Sequence, residues 1–535
     1  MKRIGTAAAV GTVLAVAAPA QAQNAHATIS PYIEVSQVLT SDTGDRSDVL
    51  TYSQVSAGVD GHIATRRIEA EISYRFDERI DWQKHTQVDQ VHSGMARVAA
   101  KITPFLSIEA GGLATRASTD IRGATASNFA GSGQNLSQIY SGYVGPTLTK
   151  QAGAFGLAAS YRYGVTYVDT PDSTGVPTGS LPIDGYGHSH SQLAQASVGT
   201  KAGTILPVGL SVSGAWEKEN ASQLDQRYIG KYARGDVVAP VSGTVALLAG
   251  LGYEDIRITQ KDALLDSAGL PVVDSRGRFV TNQASPNRIA YDTTGLFWDA
   301  GVLWRPSPRT SVQGRVGRRY GTMSYTGAIS HQTGSGSGFQ IGVYDSVETF
   351  GQQLNNGVAA MPTSFSSNNG GIGTGYAGCT FSSSTGSAGG CLNGALQSAT
   401  SSAYRARGVD AVAVLVRGQN SFGLGAGYAN RRYSAPTDGT VYSVDGLVDQ
   451  SYYAQLMYAR QLSRTATFNA SLYANYANPG AVGAEDVITA GGVATLSQRF
   501  GRINAFGSLG AYLVDQKGEE TDVSGQAQVG MRYQF

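Results

Sequence analysis

The sequence predicts an all-β protein, a transmembrane antiparallel barrel of about 22 strands with short periplasmic turns and long extracellular loops. Three observations lead there. Apolar and polar residues alternate with period two along most of the chain, the connections between alternating segments are short and long by turns, and the last alternating segment ends on an aromatic residue, Phe535. Composition agrees, since 69 of 535 residues are glycine, nearly twice the usual ~7%, and 15% are charged against a usual ~25%. An apolar fraction of 41% excludes a polytopic helical membrane protein but admits one whose apolar residues are interleaved with polar ones.

The N-terminus carries an address. Lys2 and Arg3 precede a small apolar stretch, Ile4 to Ala18, and Pro19 is followed by Ala20-Gln21-Ala22, a small-x-small cleavage site. Residues 1–22 read as a secretory signal peptide cleaved after Ala22, because the apolar stretch is short for a membrane helix and no stop-transfer pattern follows. Without Lys2 and Arg3 the mature chain is within one charge of neutral, which argues against nucleic acid as a partner. Period-two segments begin within a few residues of that site, leaving no room for a separate N-terminal plug domain.

The strands follow. Thr28 to Thr40 is the first. In the next clear case Ile68, Ala70, Ile72, Tyr74 and Phe76 share one face, while Arg67, Glu69, Glu71, Ser73 and Arg75 share the other. Phe155, Leu157, Ala159, Tyr161 and Tyr163 oppose Ser160 and Arg162; Val208, Leu210, Val212 and Trp216 oppose Ser211, Ser213 and Glu217. Leu296, Trp298, Ala300, Val302 and Trp304 oppose Asp299 and Arg305, and Ala466 to Tyr476 repeats the split against Thr467 to Asn475. A soluble sandwich alternates too, but seldom across 500 residues without a boundary. Aromatic residues such as Tyr32, Trp216, Trp298, Trp304 and Tyr533 suit the two interfacial belts of a membrane barrel.

Connections separate the two architectures better. Short turns fall near Thr103-Pro104, Gly153 to Gly156, Leu206-Pro207, Pro240 to Gly243, Arg305 to Arg309, Thr333 to Gly338, Gly418 to Ser421, Leu462 to Arg464 and Gly501. Between them come Ser41 to Asp48, Thr170 to Gly187, Thr259 to Thr293, Ser434 to Asp449 and the longest, Glu348 to Ala403, a Gly/Ser/Asn-rich stretch read as an extracellular loop over 348–403. Parity requires one long-side connection, near Tyr320 to Met323, to be tight. In lipid no backbone amide can be left unpaired, so a sheet that crosses a bilayer has to close on itself. The lumen of so wide a barrel holds water or inward-folded loops.

The final strand, Ser524 to Phe535, puts Ala527, Val529, Met531, Tyr533 and Phe535 on one face. Gln528, Gly530, Tyr533 and Phe535 fit a polar-x-Gly-x-x-hydrophobic-x-hydrophobic pattern that resembles the terminal insertion signal of bacterial outer-membrane barrels. That resemblance implies the barrel-insertion machinery and periplasmic chaperones as partners, and outer-membrane lipid and lipopolysaccharide as surroundings.

Phase assigns the candidate lumen residues. Arg67, Arg75, Arg162, Arg315, Arg319 and Arg532 fall on polar faces and point inward, where guanidinium forks can bind an anionic solute or brace the wall against Glu69, Glu71, Glu217 and Asp299. Cys379 and Cys391 are candidates for one disulfide in an oxidising compartment, a reading preferred to a metal site, which would want more soft ligands nearby. His188-Ser189-His190 places two imidazoles on one strand face, the best start for a metal site or base, yet the loop of Pro, Asp, Ser and Gly before it favours a solvated loop end. No metal or cofactor is called for, and no catalytic constellation can be assembled from spacing.

Ile29-Ser30-Pro31-Tyr32-Ile33-Glu34-Val35-Ser36, Asp48 to Tyr52, Arg67 to Arg75, and Gly317-Arg318-Arg319-Tyr320-Gly321 with Ser324-Tyr325-Thr326-Gly327 resemble the large plugless outer-membrane barrels found with exosortase and exopolysaccharide systems in Proteobacteria. The resemblance implies a porin-like channel or export conduit in the outer membrane, for a hydrophilic polymer or solute such as exopolysaccharide, with a polysaccharide export system as partner and an anionic cargo as one candidate. A barrel that anchors surface-interacting loops, and an outer-membrane hydrolase, are the alternatives.

Overall fold

The computed structural model describes residues 26–42, 49–81, 89–123, 135–170, 183–333, 336–365, 378–382, 387–437, 443–481, 483–518 and 520–535. The signal-peptide reading of residues 1–22 falls outside them. The first strands are β1 (His26–Asp42), β2 (Val49–Ala64), β3 (Ile68–Asp81), β4 (Asp89–Lys101), β5 (Leu106–Ser118), β6 (Leu136–Ala152), β7 (Phe155–Asp169) and β8 (His188–Thr200). They continue as β9 (Gly209–Ala221), β10 (Arg227–Pro240), β11 (Val245–Gln260), β12 (Arg288–Ser307), β13 (Thr310–Arg319), β14 (Thr322–Gln332) and β15 (Gly338–Glu348). After an interruption come β18 (Ala403–Arg417), β19 (Asn420–Ser434), β20 (Val448–Gln461), β21 (Ala466–Asn478), β22 (Val487–Phe500), β23 (Ile503–Gln516) and β24 (Asp522–Gln534). The interruption holds helix α1 (Phe350–Ala360), the hairpin β16 (Cys379–Phe381) and β17 (Gly389–Cys391), and the single turn α2 (Asn393–Leu396).

Leaving β16 and β17 aside, 22 strands form one antiparallel sheet in which neighbours in the chain are neighbours in space, and β24 pairs back onto β1. The sheet is therefore a closed ring with no edge strand to protect. Its short connections, such as 153–154, 308–309, 418–419 and 501–502, share one rim with the start of β1 and the end of β24; the longer ones share the other. The tight long-side turn that parity demands is Tyr320-Gly321, with φ of 54° and 74°, the left-handed pair a two-residue hairpin uses to follow strand twist.

The burial pattern is inside out. On β1, Glu34, Ser36 and Thr40 are buried and Ile33, Val35 and Leu39 exposed; around the ring the fully buried side chains include Arg75 and Arg431, while Leu296 is 74% and Leu509 70% exposed. A water-soluble domain sorts these residue types the other way. Among the described residues no helix is long and apolar enough to cross a membrane.

The ring is pinched. Tyr228 Oη on β10 donates to Val347 O on β15 (3.3 Å), and Tyr228, Ile256, Ile258, Ala290, Val347 and Ala403 form one buried cluster. The arc from β10 to β15 thus curls tightly enough for its inward side chains to meet.

Two expectations need correction. Tyr32, expected in an outer aromatic belt, faces inward and is buried at the β1–β24 seam, because it shares the phase of Glu34 and Ser36. In the 348–403 connection, expected as an extracellular loop, the described stretches 349–365, 378–382 and 387–402 turn into the ring, since they carry apolar side chains that water would not hold.

Candidate functional site

The inward-folded connection, here the insert, is built from local signals. Thr349 caps α1, accepting from Gln352 N, while the Gln352 side chain accepts from Thr349 N (3.1 Å) to complete a capping box. Phe350, Leu354 and Val358 recur every four residues on one helical face, and all three are fully buried. They pack on Met95 of β4, Leu113 and Ala117 of β5, Ile139 and Tyr143 of β6, and Val168 of β7. Full burial of each contributes about 1.5–3 kcal/mol, enough to hold a short helix that would be marginal alone.

Buried arginines on well-separated strands terminate the two helical pieces. Arg97 on β4 donates to Val358 O (3.0 Å) and Ala359 O (2.5 Å), and also to Tyr143 Oη. Arg431 on β19 donates to Ser398 O (3.1 Å), Gly394 O (2.5 Å), Ala395 O (2.7 Å) and Gln353 Oε1 (3.0 Å), with Tyr404 stacked beneath it. A cation is favourable where unpaired helix carbonyls converge. Further ties run from Arg162 Nη1 to Asn356 Oδ1 (2.9 Å), from Asn355 Nδ2 to Thr166 Oγ1 (3.1 Å) and from Thr349 Oγ1 to Glu219. Cys379 and Cys391 are joined by a disulfide that clips the β16–β17 hairpin, whose Cys379 N donates to Gln455 Oε1 (2.8 Å) on β20.

Outside the strands, Asp184 ties its own long-side connection to three others. It accepts from Ser401 Oγ (2.6 Å), Phe279 N (2.8 Å) and Gln223 Nε2 (2.9 Å). Burial pushes its carboxyl up to about 6, against the lowering effect of those donors and of Arg278.

Five of the six candidate arginines face inward, each with a partner. Arg75 bonds Glu34 (2.7 Å) and Asp77 (2.6 Å), and Arg532 bonds Glu34 from the other side (2.8 Å). Arg315 bridges Asp236 (2.9 Å) and Asp299 (2.7 Å), a pair also held by Arg234 (2.8 and 2.7 Å). Arg319 bonds Glu254 (2.7 Å) and lies over Tyr320, Phe297 and Tyr232; Arg162 is engaged by the insert. Arg67 is the exception: it sits exposed in the β2–β3 turn at the short-connection rim, because the strand begins one residue later, at Ile68.

The C-terminal motif lies at the seam. Gln528 Nε2 donates to Ser36 Oγ (2.8 Å), while Tyr533 and Phe535 are exposed on the outer face with their rings edge to face. Gly530 faces inward where a Cβ would strike the Phe506 ring at 2.5 Å, so only glycine lets that ring lie across the seam. His188 and His190 open β8 with rings 6.2 Å apart, exposed on the outer wall, and His190 Nδ1 meets Tyr163 Oη (3.0 Å). Among the described residues no group of three or more His, Cys, Asp or Glu gathers as a metal site would require.

No family model and no curated protein matches this chain. Solved structures similar to it include the siderophore receptor PirA from Acinetobacter baumannii, at 9% identity over 95% of this chain and 81% of that one, with a TM-score of 0.39. Others are the FrpB iron transporter from Neisseria meningitidis (10% identity, 94% and 82% covered, TM-score 0.40) and a mutant of the ferric enterobactin receptor PfeA from Pseudomonas aeruginosa (10%, 94% and 80%, 0.38). Likeness at this level carries nothing about what this chain does.

Proposed function

We propose that this chain is an outer-membrane channel or export conduit for a hydrophilic polymer or solute, closed in the state described by its own insert. The observation that carries the reading is inverted burial on a closed ring: large apolar side chains cover the outside, and ionic and amide side chains line the inside. On this reading the short-turn rim faces the periplasm, the long-connection rim faces outward, lipopolysaccharide surrounds the wall, and insertion machinery and periplasmic chaperones receive the C-terminal strand. The resemblance to exopolysaccharide-associated barrels suggests a polysaccharide export system as partner. The pairing of the lumenal arginines argues against a cationic track for acidic cargo, since Arg75, Arg315, Arg319 and Arg532 each already hold a carboxylate and Arg162 an amide oxygen of the insert.

Conductance in planar bilayers tests the proposal. The intact protein is expected to stay mostly closed, and a variant lacking residues 350–402 to give large, steady steps. R97A/R431A, checked for ring integrity by heat-dependent gel migration, is expected to flicker open. Silence from both variants with the ring intact would overturn the conduit reading.

A second reading, a barrel that anchors interacting loops, draws on one feature: Leu264, Leu265, Leu270 and Val273 are exposed on the 261–287 connection. Deleting that connection would then abolish a surface phenotype and leave flux unchanged.

A further inference from the structure

A cavity of about 200 Å³ lies between the insert and the far wall of the lumen. From the insert, Asn393 and Gln397 of the α2 turn line it; from the wall come Tyr453 of β20, Tyr473 and Asn475 of β21, and Tyr512 of β23. The chemistry of this set is unusual for a lumen otherwise braced by ion pairs. Among the described residues the only charged one in the lining is Arg116, whose guanidinium donates to Gln90 O (3.5 Å).

Three of these residues carry buried polar atoms with no hydrogen-bond partner among the described residues: Asn393 Oδ1, Gln397 Oε1 and Tyr512 Oη. Tyr512 is itself only 3% exposed. Buried polar atoms are nearly always paired, because leaving one unmet forfeits its hydrogen bonds to water without replacement, so three around one cavity point to something that normally meets them. Two amide oxygens can only accept, and a phenol can donate or accept, so the occupant must offer several hydroxyl or amide donors. Three tyrosine rings add flat apolar faces. The near absence of charge disfavours a carboxylate, phosphate or ammonium, whose desolvation nothing here would offset.

We infer that the cavity between α2 and the β20–β23 wall is a binding site for a neutral sugar unit, a pyranose whose hydroxyls meet Asn393, Gln397 and Tyr512 while its C–H faces lie on tyrosine rings. The inference rests on the conduit reading and narrows it, naming uncharged saccharide as the class of solute that the lumen holds. The site exists only while the insert is docked, because two of its three polar contacts, Asn393 and Gln397, come from the α2 turn.

Saturation-transfer NMR on the full protein in detergent micelles tests it, with maltose, cellobiose and N-acetylglucosamine as neutral probes and glucuronic acid as the charged control. At least one neutral probe is expected to bind, glucuronic acid to bind at least about tenfold more weakly, and Y512F or N393L/Q397L to weaken the neutral probe about tenfold with the ring still heat-resistant. No binding by any neutral probe, equal binding of glucuronic acid, or binding unchanged in both variants would overturn the assignment. The bilayer experiment separates the two claims. Conductance without sugar binding refutes this site and leaves the conduit standing, whereas sugar binding to a ring that never conducts refutes the conduit and leaves the site.

Discussion

Glu34 accepts from Arg75 of β3 on one side and from Arg532 of β24 on the other, so one carboxylate ties the first, third and last strands together. Removing it takes a shared carboxylate from two buried guanidinium groups, a loss of the kind that costs up to about 3–5 kcal/mol, with Asp77 still beside Arg75. E34A is expected to lower the temperature at which the ring unfolds on gels, and E34Q, which keeps the shape and some acceptor capacity, to lower it less. Asp184 acts at the outer end. Its carboxyl sits near 6 in the folded protein against 3.8 for the free group, so the folded connections bind its proton more tightly than the unfolded chain does. That contribution is full below the unfolded value and is lost as pH rises through about 6. Hydrogen exchange at Tyr186 and Phe279 is expected to exceed its intrinsic pH trend between pH 5 and 7.5, and D184N to abolish the excess. The arginines were legible in the sequence as inward-facing from phase alone, except Arg67. Of their partners only Asp299 was named from the sequence; Glu34 was not, because it and Arg532 lie at opposite ends of the chain and meet only when the ring closes.

Elements differ in how much of themselves they display. A strand announces itself by alternation, and Ile68 to Phe76 or Ala527 to Phe535 can be assigned to a face residue by residue. Helix α1 carried signals of equal quality: the Thr349-x-x-Gln352 box and the four-residue spacing of Phe350, Leu354 and Val358. They lay inside a connection whose glycine, serine and asparagine content reads as loop, and the period changes from two to 3.6 for only three turns. The packing of that face is testable. L354A removes a fully buried side chain, a change that typically costs about 2–5 kcal/mol where the surroundings cannot collapse, and the lumen wall is fixed by its own ladder. Protease cleavage within the insert is expected to speed up by at least about tenfold, with the ring fragments still associated.

For the whole molecule, strand number, antiparallel order and closure followed from the alternation of connection lengths together with the tight Tyr320-Gly321 turn. The pinch between β10 and β15 did not, because a curvature that brings Tyr228 to Val347 leaves no mark on local pattern. Assembly is the prediction at this scale. Tyr533 and Phe535 stand exposed on the outer face of the closing strand and make no lumenal contact. Y533A with Phe535 deleted is therefore expected to reduce the amount of protein recovered in outer-membrane fractions several-fold while leaving the melting behaviour of what does assemble close to that of the parent.

The two ends of the insert leave the ring at adjoining places, for β15 and β18 remain paired as far as Glu348 opposite Tyr404. Both attachments therefore sit on a single hinge. On the conduit reading, a trapdoor hung in this way swings clear and returns without breaking one rung of the wall, and its tether keeps it at high local concentration beside the opening it covers. On that reading, cargo passes many times through a doorway whose door is never lost.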